Sequence, residues 1–392
     1  MKGETIMPQK QAVRPKQKYK KIEKPVAKRK SVDFILLIAV LLLLSLGIVM
    51  VLSASSPTAL STYGDSYYFV KRQLAFAVLG IVLMFIISYI DYRKYQKFYK
   101  LIYVGVLIAL ALVQLVGYSE GGAKRWINLF GIVSIQPSEL AKLGIIFFYA
   151  TYLTKYKDEI KKFSFKNHGI LMAFLWLIPV VGILIIFQNH LSATLVICIV
   201  TAIMMLIAGV KFRFFAIIAS IGGSIGAAAL YFMAKVTSSG AFRIQRVISF
   251  LNPWADPQGS GWQAIQSLYA IGSGGLFGVG LGNSKQKYLY ISEPHNDFIF
   301  AVLAEELGFI GCAIVIILFL IFIWRGIMIA MNAPDMFGTL VASGITALIG
   351  IQVIINIAVV TSSMPVTGMS LPFFSYGGSA LVILLCSVRR IA

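Results

Sequence analysis

The sequence predicts an all-α polytopic membrane protein, on three observations. Hydrophobic residues make up 58% of the 392 residues and charged residues 13%, which is too apolar for a soluble domain. About ten apolar runs approach the roughly 20 residues that a helix needs to cross a bilayer. Lys and Arg gather in alternate connections between these runs. We therefore expect about ten transmembrane helices.

The chain divides into a basic tail, residues 1–32, and a predicted membrane domain, residues 33–392. The tail holds many Lys and Arg, several Pro and few apolar residues. We expect it to be disordered and cytoplasmic. No small-residue cleavage site promptly follows the first apolar run, so we expect a retained first span rather than a removed signal peptide. The net charge of +20 then reflects orientation signals, and nucleic-acid binding is not expected.

The membrane spans are predicted in order along the chain. They cover roughly residues 33–53, 70–90, 99–117, 136–153, 169–187, 191–209, 212–233, 296–324, 336–360 and 371–388. Lys and Arg are frequent in the connections 92–100 and 155–166, on the side of the tail, and absent from the opposite loop 55–69. The positive-inside rule therefore places both termini in the cytoplasm, and an odd number of spans would break this alternation.

Two stretches predict irregular backbone within or beside the membrane. The connection 234–295, between the seventh and eighth spans, is the longest on the outer side and contains the Gly-rich run 272–282. These glycines can bring backbone amides to an anion, act as a hinge, or pack as a tight re-entrant turn. The segment 361–379 contains Pro365 and Pro372, which predict a broken or re-entrant segment. Such backbone is tolerated at membrane depth only when it is buried in protein or lines a cavity.

The entry to the eighth span carries several acidic residues. Asp297 follows His295 and Asn296, and Glu305 and Glu306 lie further along. With Asn296 as the helix cap, Glu305 lies about 80° round from Asp297 and about 12 Å deeper, and Glu306 points to roughly the opposite side. An ionised carboxylate in a membrane helix costs at least roughly 2.5 kcal/mol, so we expect a wet cavity or a partner cation. A helix cap with one buried ion pair is the alternative.

The outer loops add basic residues to these carboxylates. Glu139 and Lys142 lie at positions i and i+3 and are expected to pair on one helix face. The other outer cations are Lys124, Arg125, Arg243, Arg246, Lys285 and Lys287. Cations suit a phosphate or diphosphate ligand, and a carboxylate suits a general base. His190, in a short turn, either lines the same cavity or caps a helix. The residues alone leave two classes, a transporter or an enzyme acting on a membrane-anchored anion.

Three long motifs resemble the SEDS family of shape, elongation, division and sporulation proteins, which includes FtsW, RodA and SpoVE. They are Lys124–Lys142, Ser267–Gly311 and Pro365–Ser379. The stretches Arg125–Asn128 and Thr367–Pro372 favour the division and sporulation branch. The resemblance implies a peptidoglycan glycosyltransferase of the bacterial cell membrane that polymerises lipid II on the outer leaflet and releases undecaprenyl pyrophosphate. The implied partners are a class B penicillin-binding protein, which is a transpeptidase, and other divisome or elongasome membrane proteins.

The resemblance also implies roles for individual residues. Asp297 matches the family's essential aspartate and is expected to be the catalytic base. The expected substrate-binding residues are Lys124, Arg125, Glu139, Lys142, Arg243, Arg246, Lys287, His295, Glu305 and Glu306. No resident metal is assigned, and a divalent cation, Mg²⁺ or Mn²⁺, at the diphosphate is left open. Asn189-His190 stands where many members read Pro-Asp, so that aspartate's role is not carried over. A lipid II flippase and a non-catalytic scaffold for the penicillin-binding protein are the alternatives.

Overall fold

A computed structural model describes most of the predicted membrane domain. The described residues are 33–120, 123–129, 133–162, 169–217, 220, 223–224, 249–288 and 290–388. The basic tail lies outside them, and so do Arg243 and Arg246, for which the predicted contacts stay predictions.

Eleven α-helices have both ends within the described residues. They are α1 Phe34–Tyr63, α2 Tyr68–Ser88, α3 Arg93–Lys97, α4 Tyr99–Val116, α5 Pro137–Lys155, α6 Ile170–Gly182, α7 Leu191–Ile207, α8 Trp262–Gly274, α9 Ile299–Met331, α10 Met336–Val360 and α11 Gly378–Val388. A π-helical turn, Ile183–Phe187, extends α6, and a short 3₁₀ helix covers Pro253–Ala255. Six of the described segments are long and apolar enough to cross a membrane. The all-α polytopic prediction is confirmed.

The helices follow nine of the ten predicted spans, and three of them differ clearly in length. The eighth extends seven residues beyond its predicted end at residue 324, to Met331. The first extends ten residues beyond its predicted end at residue 53, through Pro57, and ends where Gly64 adopts a positive φ of 69°. The polar residues Ser53 and Ser55 are buried by neighbouring helices, so they do not end the span. The last helix begins at Gly378 rather than at residue 371. The seventh predicted span is described only in part.

The helix α10 lies at the centre of the bundle and packs against α5, α7 and α9. About two thirds of its most apolar stretch is buried inside the protein. The segment between α10 and α11 is non-helical, and it nevertheless buries Met369, Leu371, Phe373 and Phe374. The irregular segment predicted at 361–379 is therefore confirmed, and it is packed in protein rather than exposed to lipid.

A small antiparallel sheet follows α4 and was not predicted. Its strands are β1 Tyr118–Glu120, β2 Ala123–Leu129 and β3 Val133–Ile135, with β2 in the middle. Two of the three strands have only three residues, too few to show a period-two pattern in the sequence. The sheet leads directly into α5, whose first residue is Pro137.

The Gly-rich run packs against a break in α9. Gly308 interrupts that helix with φ 65° and ψ −166°. Beside the break, Val279 N donates to Glu305 O at 3.0 Å. A Cβ on Gly278 would lie 2.1 Å from Glu306 O, so only glycine permits this approach. Of the three interpretations of the run, the structure supports the tight re-entrant turn.

Candidate functional site

A cleft of about 670 Å³ opens where the predicted outer ends of several helices meet. Its walls come from the α1–α2 junction, the sheet, the turn before α7, the segment 293–297 and the segment 368–378. Four of the predicted site residues line it, namely Arg125, Glu139, His295 and Asp297. The sequence prediction of a polar cavity at this end of the bundle is thus supported by the geometry.

Three consecutive backbone carbonyls fix the segment that carries Asp297. Tyr376 N donates to His295 O at 2.9 Å, Ser375 Oγ to Asn296 O at 2.7 Å, and Asn356 Nδ2 to Asp297 O at 2.8 Å. Asn356 also donates to Met369 O at 2.6 Å and is 1% exposed. The donors lie on α10 and on the irregular segment after it. These bonds hold the backbone of residues 295–297 against two other parts of the chain.

The predicted helix cap at Asn296 is wrong. The helix α9 begins at Ile299, and Phe298 is its N-cap residue, without a side-chain capping bond. Asn296 instead donates through Nδ2 to Glu293 Oε2 at 2.8 Å. Asp297 therefore lies in a turn before the helix. Its position is set by the carbonyl contacts just described and not by helical periodicity.

The Asp297 carboxylate lies beside a glycine that leaves space in the cleft. Asp297 is partly exposed. Gly368 has φ 69°, and a Cβ built on it would lie 3.2 Å from Asp297 Oδ2. A side chain there would be strained and would crowd the carboxylate. The glycine thus keeps one side of Asp297 open to a ligand.

Arg125 connects β2 to the turn before α7. Its Nε donates to Gln188 O at 3.2 Å and its Nη2 to Asn189 O at 2.8 Å. Its side chain also lines the cleft. The neighbouring Lys124 is exposed and does not line the cleft. Of the two predicted basic contacts, the structure places only Arg125 in the site.

Glu139 and Lys142 form the predicted pair. Lys142 Nζ lies 2.7 Å from Glu139 Oε1, with side-chain exposures of 2% and 18%. Glu139 lines the cleft and Lys142 does not. Lys142 therefore contacts Glu139 from within the protein, and its charge offsets the desolvation free energy of the partly buried Glu139 carboxylate.

Lys287, Glu305 and Glu306 are not brought to the cleft. Lys287 Nζ contacts Glu306 Oε1 at 2.9 Å, and Ser53 Oγ donates to the same oxygen at 2.6 Å. Glu305 accepts from Lys285 N at 2.9 Å. Both carboxylates bind the same loop instead of diverging around the helix. The alternative of a buried ion pair therefore describes these residues, which hold the outer loop to α1 and α9.

Two buried histidines line the cleft and are neutral near pH 7. Burial lowers the pKa of His295 to about 4, so its 3.7 Å contact with Glu293 is not an ion pair at that pH. Burial, with the positive charge of nearby Arg125, lowers the pKa of His190 to about 3. His190 precedes α7 but makes no side-chain capping bond. Of its two interpretations, lining the cavity is the one the structure supports.

Arg72 and its aromatic neighbours are cleft residues that the sequence analysis missed. Arg72 lies one turn into α2, next to Tyr68, and Tyr376 lies on the facing segment. The available signal was a lysine and an arginine at the outer end of a membrane span, directly after a loop without cations.

The comparisons with known proteins agree with this arrangement. A family model described as a cell cycle protein, FtsW/RodA/SpoVE, matches residues 34–391. The chain belongs to the FtsW/RodA/SpoVE family. It is 44% identical over 365 residues to stage V sporulation protein E of Bacillus subtilis, covering 92% of this chain and 96% of that protein. It is 43% identical over 358 residues to the probable peptidoglycan glycosyltransferase FtsW of Trichlorobacter lovleyi, covering 91% of each.

Solved structures of the family show the same fold. One solved structure matches with a TM-score of 0.75 and 28% identity, over 92% of this chain and 96% of that one. It is described by the words "Structural coordination of polymerization and crosslinking by a peptidoglycan synthase complex". The rod shape determining protein RodA of Thermus thermophilus matches with a TM-score of 0.64 and 28% identity over 92% and 95% of the two chains. The expected family membership, and its division and sporulation branch, are confirmed.

Proposed function

We infer that this member of the family is a peptidoglycan glycosyltransferase of the cell membrane, and we propose that it polymerises lipid II on the outer leaflet. The observation that carries the proposal is the Asp297 carboxylate, which lines a cleft of about 670 Å³ on a backbone held by three hydrogen-bonded carbonyls. A fixed carboxylate beside an open space suits proton abstraction from a bound ligand. The relatives named as glycosyltransferases supply the reaction class.

In the proposed reaction Asp297 acts as a general base. Its carboxylate accepts the proton of an acceptor sugar hydroxyl, and that oxygen attacks the anomeric carbon of the donor sugar. The bond from that carbon to the diphosphate oxygen breaks, and undecaprenyl pyrophosphate leaves with the electron pair. The proton on Asp297 is then released to solvent, so that the next cycle begins with a carboxylate. The cleft is open enough to exchange that proton with water.

The other cleft residues are proposed to bind the sugars and the diphosphate. Glu139, held by Lys142, offers a carboxylate that can accept hydrogen bonds from sugar hydroxyls. Arg125 fixes the wall formed by the turn before α7. The predicted contacts of Arg243 and Arg246 with the diphosphate remain proposals, since both lie outside the described residues. His295, neutral at pH 7, can donate or accept one hydrogen bond.

A divalent cation at the diphosphate was left open by the sequence. Within the described ranges, no group of three or more His, Cys, Asp or Glu residues is arranged to hold a metal ion. A divalent cation bound mainly by the diphosphate needs only one or two protein carboxylates, so it stays an open part of the proposal, and the proposed steps are those of the chain's own side chains.

The proposed partner is a class B penicillin-binding protein that cross-links the new strands. A structural relative is described as part of a complex that coordinates polymerization and crosslinking, and it covers 92% of this chain. The same membrane domain is therefore suited to such a pairing. Contacts with other divisome or elongasome proteins are proposed from the family resemblance alone.

Polymerisation of labelled lipid II by the purified full chain, with and without the transpeptidase, tests the proposed activity. We expect glycan strands longer than the substrate, in larger amount when the partner is present. A flippase would move lipid II across proteoliposomes without making polymer. A scaffold would do neither, and either of those results would contradict the proposal.

A further inference from the structure

We propose that Arg72, held by Tyr68 and Tyr376, forms an anion-binding subsite in the wall of the cleft. The group it would bind is a diphosphate or a carboxylate of the sugar substrate. The proposal deepens the proposed function and rests on it. The supporting observations are the position of the guanidinium, the contacts that orient it, and the protein partners of three other nearby cations.

The guanidinium of Arg72 is positioned by aromatic rings. Its central carbon lies 4.4 Å from the centroid of the Tyr68 ring, four residues earlier on α2. The Tyr68 ring is itself stacked on Tyr63, with centroids 3.8 Å apart and planes 8° from parallel. A cation over an aromatic face is attracted to it, and a stacked ring has little freedom to move. The stack therefore holds the donor groups of Arg72 at the cleft wall instead of leaving them in bulk solvent.

Arg72 also contacts the segment that fixes the proposed base. It lies close enough to Tyr376 for its positive charge and a hydrogen bond to act on the Tyr376 hydroxyl. The backbone N of Tyr376 donates to His295 O at 2.9 Å, two residues before Asp297. The Tyr376 and Phe69 rings meet edge to face with centroids 4.9 Å apart. An anion bound at Arg72 would therefore lie on the same side of the cleft as the reacting groups.

Three other cations in or beside the cleft have protein partners. Lys142 is paired with Glu139, and Arg125 donates to two backbone carbonyls. Lys71, the neighbour of Arg72, is paired with Asp65 at 2.8 Å. Arg72 takes part in none of the ion pairs formed among the described residues. The guanidinium has five N–H donors, so its contact with the Tyr376 hydroxyl leaves others for a bidentate contact with an anionic ligand.

An anionic ligand also needs such a cation in this cleft. Asp297 and Glu139 place two carboxylates in the walls, and these repel a diphosphate or a second carboxylate. Within the described residues, the Lys and Arg side chains that line the cleft are Arg72 and Arg125. A charge-assisted contact from Arg72 would offset part of this repulsion, and its loss should weaken anion binding about tenfold or more.

The test is equilibrium binding to the purified full chain in detergent, with two probes and a matched control. The probes are undecaprenyl pyrophosphate and a phosphate-free muramyl glycan that carries free carboxylates. The variants are Arg72→Gln and Arg72→Lys, and the control Lys71→Gln removes the same charge one residue away, outside the cleft. We expect Arg72→Gln to weaken at least one probe about tenfold, while Lys71→Gln stays within about twofold of wild type.

The pattern of results assigns the ligand or overturns the proposal. Weakened binding of the diphosphate alone identifies a diphosphate subsite, and weakened binding of the glycan alone identifies a carboxylate subsite. The proposal would be overturned if Arg72→Gln bound both probes as wild type does. It would also be overturned if Lys71→Gln weakened binding as much as Arg72→Gln. If Arg72→Gln does not fold, Arg72→Lys keeps the charge but loses the fork, and an unchanged affinity for both probes in that variant overturns the bidentate contact.

The anion subsite and the proposed function can fail independently, because the subsite is tested by binding without turnover. If Asp297→Asn polymerises normally while Arg72→Gln weakens binding, the assignment of the base fails and the subsite stands. If Asp297→Asn is inactive while Arg72→Gln binds both probes as wild type does, the subsite fails alone.

Discussion

Asn356 on α10 is expected to control catalysis without touching the substrate. Its Nδ2 donates to Asp297 O at 2.8 Å and to Met369 O at 2.6 Å, and the residue is 1% exposed. The change Asn356→Ala removes both bonds, so the carbonyls of Asp297 and Met369 each lose one hydrogen-bond donor. A buried acceptor that loses its partner costs about 1–3 kcal/mol, so we expect the two losses to destabilise the segment by about 2–6 kcal/mol.

That local loss should appear mainly in kcat. Asp297 would lose one of the three contacts that fix its backbone, and a displacement of about 1 Å at a reacting group can cost about 100-fold in rate. The substrate contacts elsewhere in the cleft are unchanged, so KM should stay within about threefold. Lipid II polymerisation at varied substrate concentration measures both quantities.

A matched control is Asn332→Ala, which removes an asparagine donor from an exposed contact with Met328 O at the far end of α9. We expect that variant to keep wild-type kcat. A wild-type kcat in Asn356→Ala, confirmed as folded by its thermal transition, would refute the positioning role assigned to the carbonyl contacts.

Three further predictions concern other charged groups. Lys142→Met should lower kcat about tenfold or more in the polymerisation assay, because it leaves the Glu139 carboxylate partly buried without its cation; an unchanged rate would remove the pair from the site. Glu306→Gln should lower stability by about 3–5 kcal/mol, because Lys287 stays buried, and adding Lys287→Met should restore part of the lost thermal stability. The pKa of His295 is lowered by burial to about 4 in the folded state, so its contribution to stability is complete above about pH 6.5 and is lost as the pH falls. At pH 5 the free energy of unfolding should be about 2 kcal/mol lower for this reason. The variant His295→Asn should therefore show a midpoint of thermal unfolding that depends less on pH. A dependence as steep as in wild type would contradict the lowered pKa of His295.

The membrane architecture could be predicted because its causes are local in the sequence. Apolar runs and alternating basic loops set the spans, and nine of the ten appear as helices within the described residues. The first helix was predicted ten residues too short, and the sequence does not record that tertiary packing buries Ser53 and Ser55 within it. The three-residue strands of the sheet carried too little pattern to be predicted.

The site was predicted in part, for the same physical reason. Asp297 was predicted from the family resemblance, and the Glu139–Lys142 pair from its i,i+3 spacing on a helix. The contacts that hold the Asp297 segment come from residues 59 to 81 positions further along, and no local pattern records them. Glu305 and Glu306 could not be separated from the site by sequence, because a carboxylate in a membrane helix fits either a wet cleft or a buried pair.

The most direct measurement is the rate of lipid II polymerisation by Asp297→Asn in the purified full chain with its transpeptidase partner. Asp65→Asn is the matched control, because it makes the same chemical change at an exposed carboxylate outside the cleft. We expect Asp297→Asn to bind lipid II but to form no polymer above background, and Asp65→Asn to polymerise as wild type does. Polymer formed by Asp297→Asn at the wild-type rate would contradict the assignment of the base.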